Sequence, residues 1–462
     1  MRPTNWLLNA IVCWILLGVL ASVWQALPQG VFEVLAALPV GLGVEAWRDE
    51  IAAALKLAWV YGGIALAVFA LLDLLAALGM KPLELQRKPP SRFALDVSQD
   101  VELTLVNRNR STIFVQVFDG IPVEAETTEM PWSGKIPGKG FTNLSYPVKL
   151  MKRGMMDFGK AHVLLRSPFR FWDRSMKTGP TDSVRVYPNY EPVIRYSLLA
   201  VDNLENQMGI KQRNRMGVSR EFHQLREYQE GDVLSQIDWK ATSRRLTLIS
   251  REFREQRDQN IVVLVDSGRR MRAIDGDLPQ FDHCLNAILL MSFIALRQGD
   301  NVGVLSLGGT NRWLPPIKGQ HAMTTLLNHL YDYETTLHPS DFGEAAERLM
   351  ARQKRRALVV VLTNLRSEDS SDIVPALRSI QRNHLVLVAS LRESSVDERL
   401  VAPIDTVDDA MLYGAANLYL EQRNQVFESL RAQGIITVDA TAQNLPVALT
   451  NAYLEVKNSG RL

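Results

Sequence analysis

The run Ile261-Val262-Val263-Leu264-Val265, closed by Asp266-Ser267-Gly268, sets five consecutive apolar residues against a carboxylate, a hydroxyl and a glycine. A strand of that composition has no polar face to offer water, so it belongs inside a sheet covered on both sides, the situation of a parallel strand. The chain beyond it alternates in kind. A helical stretch from Phe281 to Arg297 leads to Val302-Gly303-Val304-Leu305-Ser306-Leu307, then to helices beginning near His321 and after Asp341. The strand Ala357 to Leu362, the strand Leu385 to Ala389, a long helix around Leu412 to Gln433, the strand Ile435 to Val438 and a closing helix from Leu445 to about Lys457 complete the series. Strand and helix in alternation predict a doubly wound parallel α/β sheet over residues 260–462.

Open sheets of this class bind ligands beyond the carboxyl ends of their strands. Two such ends read Asp266-Ser267 and Thr363-Asn364. Their oxygens are of the type a hard divalent cation such as Mg²⁺ prefers, although Asp266 and Ser267 can equally cap the turn after the strand. Chemistry alone leaves both readings open.

Upstream of the sheet, residues 211–258 hold 11 Lys/Arg and 8 Asp/Glu interleaved with aromatic and aliphatic residues. The text runs Ser219-Arg220-Glu221-Phe222-His223-Gln224-Leu225-Arg226-Glu227-Tyr228, then Gly231-Asp232, then Ile237-Asp238-Trp239-Lys240-Ala241-Thr242, then Arg251-Glu252-Phe253. Arg and aromatic side chains carry much of the energy of protein interfaces, so Arg220, Glu221, Arg226, Tyr228, Asp232, Asp238, Trp239, Lys240, Arg251 and Glu252 are candidate docking residues. The same charges can instead form an ion-pair belt that clamps the segment to its own chain. A third reading takes Asp232, Asp238 and Lys240 as the acid, acid-x-Lys cluster of a metal-dependent nuclease or hydrolase.

Residues 81–192 show period-two runs such as Val101-Glu102-Leu103-Thr104-Leu105-Val106 and Thr112-Ile113-Phe114-Val115-Gln116-Val117, separated by Asn-Arg-Asn, Asp-Gly and Gly-Lys-Gly turns. About seven short strands at that spacing predict a β-sandwich-like module. No polar cluster recurs on one predicted face, which favours a spacer or packing role.

Trp6 to Leu27 is 22 residues without a formal charge, enough for a helix to cross a hydrocarbon core of roughly 30 Å. A signal peptide would carry a shorter apolar core and a small-residue cleavage site. Leu57 to Met80 is a second such run, interrupted by Asp73, which should lie towards the inner boundary. Residues 1–80 thus read as a two-span anchor, with Val34 to Val44 as an interfacial segment in the intervening loop. Lys81, Arg87, Lys88 and Arg92 come after the second span, placing the large domains on the cytoplasmic side. Residues 193–259 remain as a charged docking segment between the β module and the α/β domain.

Composition bounds the function. Of 462 residues, 47% are apolar and 22% charged, and 52 Lys/Arg face 50 Asp/Glu, a net charge of +2. That balance argues against a nucleic-acid binder relying on its overall field. The two cysteines, Cys13 and Cys284, supply neither a disulfide framework nor a zinc cluster. No G-x-x-x-x-G-K-[ST], H-E-x-x-H, G-x-S-x-G or C-x-x-C occurs, so ATP hydrolysis would have to come from a partner. His283-Cys284 are adjacent on a helix and cannot face each other, and His321 and His329 lack a third ligand nearby in sequence.

The paired spans, Glu221-Phe222-His223-Gln224-Leu225-Arg226-Glu227-Tyr228, Gly231-Asp232, Ile237-Asp238-Trp239-Lys240-Ala241-Thr242 and the strand into Asp266 together resemble the domain of unknown function 58 family. The resemblance implies a membrane-anchored protein with a last domain similar to the von Willebrand factor A fold, encoded beside a MoxR-type AAA+ ATPase and sometimes alongside a transglutaminase-like membrane protein. It implies partner binding or assembly without established catalysis. The von Willebrand A fold also implies a metal-ion-dependent adhesion site built on D-x-S-x-S, a Thr and a later Asp. Here Asp266 matches, but Gly268 and Arg270 stand at the two serine positions and Asn364 where the last Asp belongs. Asp266, Ser267, Thr363 and Asn364 are therefore expected to form at most a weak Mg²⁺ site, with no other cofactor. Arg270, beside Arg269 and Arg272, could supply the missing positive charge and grip a partner carboxylate. The expectation is a non-enzymatic adaptor in the inner (plasma) membrane that works with a MoxR-type AAA+ ATPase and binds no nucleic acid.

Overall fold

The computed structural model describes residues 1–26, 44–195, 220–229, 234, 237–255, 258–309, 311–319 and 321–461. They divide into two compact units, one of residues 1–91, 98–149 and 156–184, the other of residues 92–97, 150–155 and 185–462.

The first unit opens with two helices, α1 (Asn5–Ala26) and α2 (Val44–Gly79). Asn5–Ala26 and Glu50–Gly79 are each long and apolar enough to cross a membrane. The second helix begins earlier than its composition predicts: Arg48, Asp49, Glu50 and Lys56, expected in a loop, lie on α2. The interfacial segment expected over Val34 to Val44 lies outside the described residues up to position 43. Trp14 and Trp59 stack with ring centroids 5.3 Å apart, and Trp14 Nε1 donates to the Trp59 carbonyl at 2.9 Å. Each indole rests on a glycine of the facing helix. A Cβ on Gly18 would meet Trp59 Nε1 at 2.5 Å and one on Gly63 would meet Trp14 Nε1 at 2.7 Å, so only glycine permits this approach.

The strands of this unit form two antiparallel sheets. One joins β1 (Glu84–Lys88), β2 (Ser98–Val106) and, further along the chain, the strand Phe141–Leu150; the other is built on β3 (Ile113–Gly120) and β4 (Trp132–Ile136). With Phe141–Leu150 numbered β5, β6 (Gly154–Arg166) pairs with β3 and with β7 (Trp172–Thr178). Alternate residues point inward: Val101, Leu103 and Leu105 of β2, Val115 and Val117 of β3, Phe158, Val163 and Leu165 of β6. This is the β-sandwich-like module that the period-two runs predict. Its core also holds a charge. Arg87, expected as a juxtamembrane base, is buried and gives Nε to Asp119 Oδ2 at 2.9 Å, Nη1 to Asp182 at 3.0 Å and Nη2 to the Gly159 carbonyl at 2.7 Å. Tyr146 donates its hydroxyl to the same Asp119. Burial and the Asp119 charge push the Tyr146 phenol up, so it stays a donor.

In the second unit, β8 (Asp182–Tyr187) contributes its last residues and pairs in parallel with Phe93–Ala94. A hairpin of β9 (Arg220–Glu227) and β10 (Ile249–Glu255) comes next, with α3 (Trp239–Arg245) between its strands. The main sheet contains β11 (Asn260–Asp266), β12 (Asn301–Leu307), β13 (Trp313–Ile317), β14 (Leu358–Thr363), β15 (Leu385–Arg392) and β16 (Ile436–Thr441), in the order β13-β12-β11-β14-β15-β16. All neighbours are parallel except β13, an antiparallel edge whose Pro315 and Pro316 suit a place with no outer partner.

Both faces of the sheet are covered. Ile261, Val263 and Val265 face a core with α4 (Gln280–Arg297), α5 (Ala322–Leu330) and the last helix, Leu445–Asn458. Val262 and Leu264 face the other, with α6 (Phe342–Arg352), α7 (Ser370–Gln381) and the end of the helix Val407–Ala432. The short helix Ser394–Val401, which the apolar pattern does not separate, is α8; the two later ones are α9 and α10. Arg153, in the same unit, donates Nε to the buried Asp282, Nη1 to the Leu330 carbonyl at 3.1 Å and Nη2 to the Tyr333 carbonyl at 2.9 Å.

Candidate interaction site at the carboxyl rim

Sheet order places β12 and β14 on opposite sides of β11, so the chain reverses its direction of travel between β11 and β14. Asp266, Thr363 and Asn364 stand at that switch point, where the loops separate and leave room beyond the strands.

Asp266 is 4% exposed and its oxygens are already engaged. Oδ1 accepts from the Ser340 hydroxyl and from Gly268 N–H at 2.8 Å, and Oδ2 accepts from Thr363 Oγ1 at 2.6 Å. Ser267 turns away and donates to the carbonyls of Leu307 and Gly308 at 3.1 and 2.9 Å. Asn364 also leaves the cluster: its Nδ2 donates to Gln280 Oε1 at 3.0 Å and Glu393 Oε1 at 2.6 Å. The four residues named from the sequence therefore separate into an Asp266–Thr363 pair and two side chains directed elsewhere. Ser340, one residue before the α6 N-cap Asp341, was missed; a hydroxyl next to a capping carboxylate in the loop between α5 and α6 was its only signal.

This donor set does not fit Mg²⁺. It offers one carboxylate, three hydrogen-bond donors already occupy that carboxylate, and no second acid replaces the position of Asn364. Among the described residues no group of three or more His, Cys, Asp or Glu is arranged to hold a metal ion. Arg270 does not stand in for the ion either. Its Nη2 meets Glu368 at 2.7 Å and its Nη1 bonds Asp369, so the guanidinium expected to grip a partner carboxylate is held by two carboxylates of its own chain. The reason is local: the helical turn Ser367–Asp369 comes just after β14 and brings both acids opposite Arg270.

Burial raises the Asp266 carboxyl above the ordinary carboxylate range, and the hydrogen bonds from Ser340, Thr363 and Gly268 with the Arg270 charge only partly offset it. A group raised in this way stabilises the fold most below its unfolded value of about 3.9 and loses that contribution as pH rises through the native value. Asp266→Asn keeps acceptor and shape without the charge. Its stability at pH 7 should lie within about 1 kcal/mol of wild type or above it, with the balance moving towards the variant as pH rises, as thermal unfolding at several pH values would show.

The acceptor side of the rim is organised by Arg423 on α9, which is 1% exposed. Its Nη1 donates to Asn364 Oδ1 at 3.2 Å and to the Leu365 carbonyl at 2.5 Å; its Nη2 donates to Ser390 Oγ at 2.7 Å, the Leu391 carbonyl at 2.9 Å and Asp439 Oδ1 at 2.8 Å. Glu393 adds bonds from Asn364 and from the Tyr419 hydroxyl at 3.0 Å. Burial pushes Glu393 up, but Asn364, its own N–H, Tyr419 and the Arg423 charge together hold it below the usual range. This rim is a dense network of polar contacts.

Beyond it the surface changes character. From residue 394 to 418, helix α8 and the first half of α9 carry exposed Val401 (87%), Ile404, Val407 (72%), Met411, Leu412 and Leu418. Five carboxylates and one arginine share that stretch. The opposite chemistry lies on the β9–β10 hairpin. Trp239 (67% exposed), Leu246 and Leu248 are exposed among Lys240, Arg244, Arg245 and Arg251, with no acid from 239 to 251.

Of the other candidates from the charged segment, Arg220, Glu221, Arg226 and Glu252 lie on β9 and β10, with Glu221 opposite Arg254 and Leu225 opposite Arg251. Tyr228 N–H bonds the Leu248 carbonyl at 2.8 Å just past β9. Asp238 is the α3 N-cap: Oδ1 accepts from Lys240 N at 3.1 Å and Ala241 N at 3.0 Å, and Oδ2 accepts from Arg251 Nε at 3.0 Å. Those backbone and Arg251 bonds lower its pKa. Asp232 lies outside the described residues. Asp238, one of the three residues of the nuclease-like reading, is thus engaged as a helix cap. His283 bonds the Asp275 carbonyl and His329 the Tyr333 hydroxyl, so neither contributes to the rim. Cys284 is buried, and burial pushes its thiol up.

The chain thus combines two helices long and apolar enough to cross a membrane, a β-sandwich-like module and a mostly parallel α/β sheet. The family model described as Protein of unknown function DUF58 matches residues 224–409 of this chain. Uncharacterized protein YeaD of Bacillus subtilis (strain 168) is 24% identical over 253 residues, which cover 53% of this chain and 58% of that protein. The chain thus spans little more than half the length of that relative. Among solved structures, the CARDB domain of the PF1109 protein from Pyrococcus furiosus is similar at 14% identity and a TM-score of 0.17 over 23% of this chain and 90% of its own. The Escherichia coli alpha-2-macroglobulin segment from domain MG7 to the C-terminus is similar at 15% identity and a TM-score of 0.20, over 24% of this chain and 17% of that one.

Proposed function

We propose that this protein is a non-enzymatic adaptor, anchored in the inner membrane with its large units on the cytoplasmic side, that binds a MoxR-type AAA+ ATPase during the assembly or maturation of other proteins. The C-terminal unit is read as von Willebrand A-like without the adhesion-site metal, and a transglutaminase-like membrane protein is a second partner in the same reading. The observation that carries the proposal is the acidic, apolar arm of residues 394–418. Isolated exposed leucines are ordinary, but an acidic stretch in which Val401, Ile404, Val407, Met411, Leu412 and Leu418 are all exposed is the kind of surface that another protein covers. The commitment of Asp238 to a helix cap weighs against the hydrolase alternative.

Affinity purification of the full chain from membranes, in the presence of a non-hydrolysed ATP analogue, should recover the MoxR-type ATPase. Val407→Asp with Met411→Asp should reduce that recovery at least about tenfold while changing stability by no more than about 0.5 kcal/mol per site, because both side chains are exposed. Undiminished recovery from the variant would remove the arm from the reading. Metal-dependent turnover that disappears in Asp238→Ala would replace it with the enzyme reading.

A further inference from the structure

We propose that the tip of the β6–β7 hairpin, residues 168–170, is immersed in the lipid bilayer beside α2, and that Asp73 is the seat that holds it there. The inference rests on the reading that α1 and α2 cross a membrane.

Asp73 is fully buried although it lies on the second apolar helix. Its oxygens accept from Ser167 Oγ at 2.5 Å, Phe169 N–H at 3.0 Å and Phe171 N–H at 3.0 Å. The hairpin therefore supplies the donors that a carboxylate needs in an apolar setting, and the carboxylate satisfies two N–H groups that a tight turn leaves unpaired. Other polar groups of the turn are matched in the same way. Arg170 N–H bonds the Ser167 carbonyl at 3.0 Å, and the Arg170 carbonyl accepts from Thr4 Oγ1 at 2.5 Å. Thr4 N–H bonds the Phe171 carbonyl at 2.9 Å, and Trp172 Nε1 donates to the Ala70 carbonyl at 2.9 Å. A turn in water has no need of such pairing from two membrane helices; a turn in lipid does.

Depth is set by the side chains. Thr4, at the start of α1, stands level with Asp73, so α1 runs back along the earlier part of α2, as the Trp14–Trp59 stack also requires. Past Asp73, α2 continues for six residues to Gly79, about 9 Å at 1.5 Å per residue. Leu75 and Leu78 are exposed on that extension, as Leu71 and Leu72 are just before it. Phe169 is 57% exposed and meets Phe69 edge-on at 6.4 Å. Phe69 lies one helical turn before Asp73, on the side of the helix that is itself exposed. Phe69 and Phe169 thus form one apolar patch, Leu71, Leu75 and Leu78 keep the other side of the helix apolar at the same depth, and the occupant that covers the exposed parts of a spanning helix is hydrocarbon. Arg170 can bury its stem beside them and carry its guanidinium to the headgroups.

The test uses the full chain in vesicles of three parts phosphatidylcholine to one part phosphatidylglycerol. A nitroxide is placed at residue 169 through Phe169→Cys on a Cys13→Ala background; buried Cys284 stays in place. Exposed Leu16 on α1 and exposed Phe141 on β5, each replaced by a labelled cysteine in separate chains, give the hydrocarbon and aqueous references. Collisions with oxygen should exceed those with a nickel chelate at 169 and 16, with the reverse at 141. A chelate-accessible label at 169 with an oxygen-accessible label at 16 overturns the immersed tip and leaves the spans intact. Chelate access at both overturns the spanning reading as well. Asp73→Asn, which removes one acceptor oxygen, should shift the label at 169 towards the aqueous reference; an unchanged label would show that Asp73 is not the seat.

Discussion

Arg423→Ala is expected to destabilise the C-terminal unit by about 3–5 kcal/mol, the range for removing one partner of a buried ion pair. The side chain is almost wholly buried, and its loss takes this donor from Asp439 Oδ1, the Asn364 oxygen, Ser390 and two backbone carbonyls, while Asp439 keeps Arg392 Nη1 on its Oδ2 at 3.3 Å. Part of the cost is the empty volume beside Phe427, whose ring centroid lies 5.4 Å from the guanidinium carbon. Lysine should recover little of it. An ammonium carries charge but not the planar fork that reaches the ends of β14, β15 and β16 together. Because the chain has two units, a single melting temperature would mix their contributions. Hydrogen exchange resolves them: amides of residues 358–363, 385–392 and 436–441 should exchange about 100-fold to a few thousand-fold faster, while the β module keeps its protection. Equal protection in variant and wild type would mean that the rim is held by its loops.

The second large effect belongs to the β module. Arg87→Leu leaves Asp119 buried with Tyr146 as its side-chain donor, and a loss of about 3–5 kcal/mol is again expected, seen as faster exchange in β1, β3 and β6. The informative comparison is the double variant Arg87→Leu with Asp119→Leu. Removing both charges eliminates the unpaired carboxylate, so the double should be more stable than the Arg87 single variant; with Asp119→Leu and wild type it completes the cycle that measures the coupling between the two side chains. If the double variant is the less stable, the module depends on the geometry of the network and not on charge compensation.

The strands were legible because burial on both faces writes itself as an unbroken apolar run, and the ends of β11, β14 and β15 lie within three residues of where that run places them. β13 was not read because two prolines contradict a strand unless an edge is already known. The two buried arginines were hidden differently. Each is a local minority whose partners lie 16 to 59 and 32 to 95 residues away. Parity held a trace of both. Arg87 shares the inward face of β1 with Leu85, and Arg423 lies three, four and seven residues before Val426, Phe427 and Leu430 on the buried face of α9. Counting Arg87 among juxtamembrane bases overlooked that parity. At the rim, the degenerate adhesion motif named Asp266 and Thr363 but not their closure by Ser340, because a hydroxyl in a loop has no period to mark it.

Asp73 also sets an order of events in synthesis. Its hydrogen-bond donors, Ser167 to Phe171, are made 94 to 98 residues after it. At about 5–20 residues per second, the second helix waits roughly 5–20 s with a carboxylate that no part of the nascent chain can yet satisfy. During that interval the half-made protein carries a mark that the finished one lacks, which a membrane protease or insertase could read as incomplete. The carboxylate is a timer as well as a fastening, and a chain ending before residue 167 would never stop it.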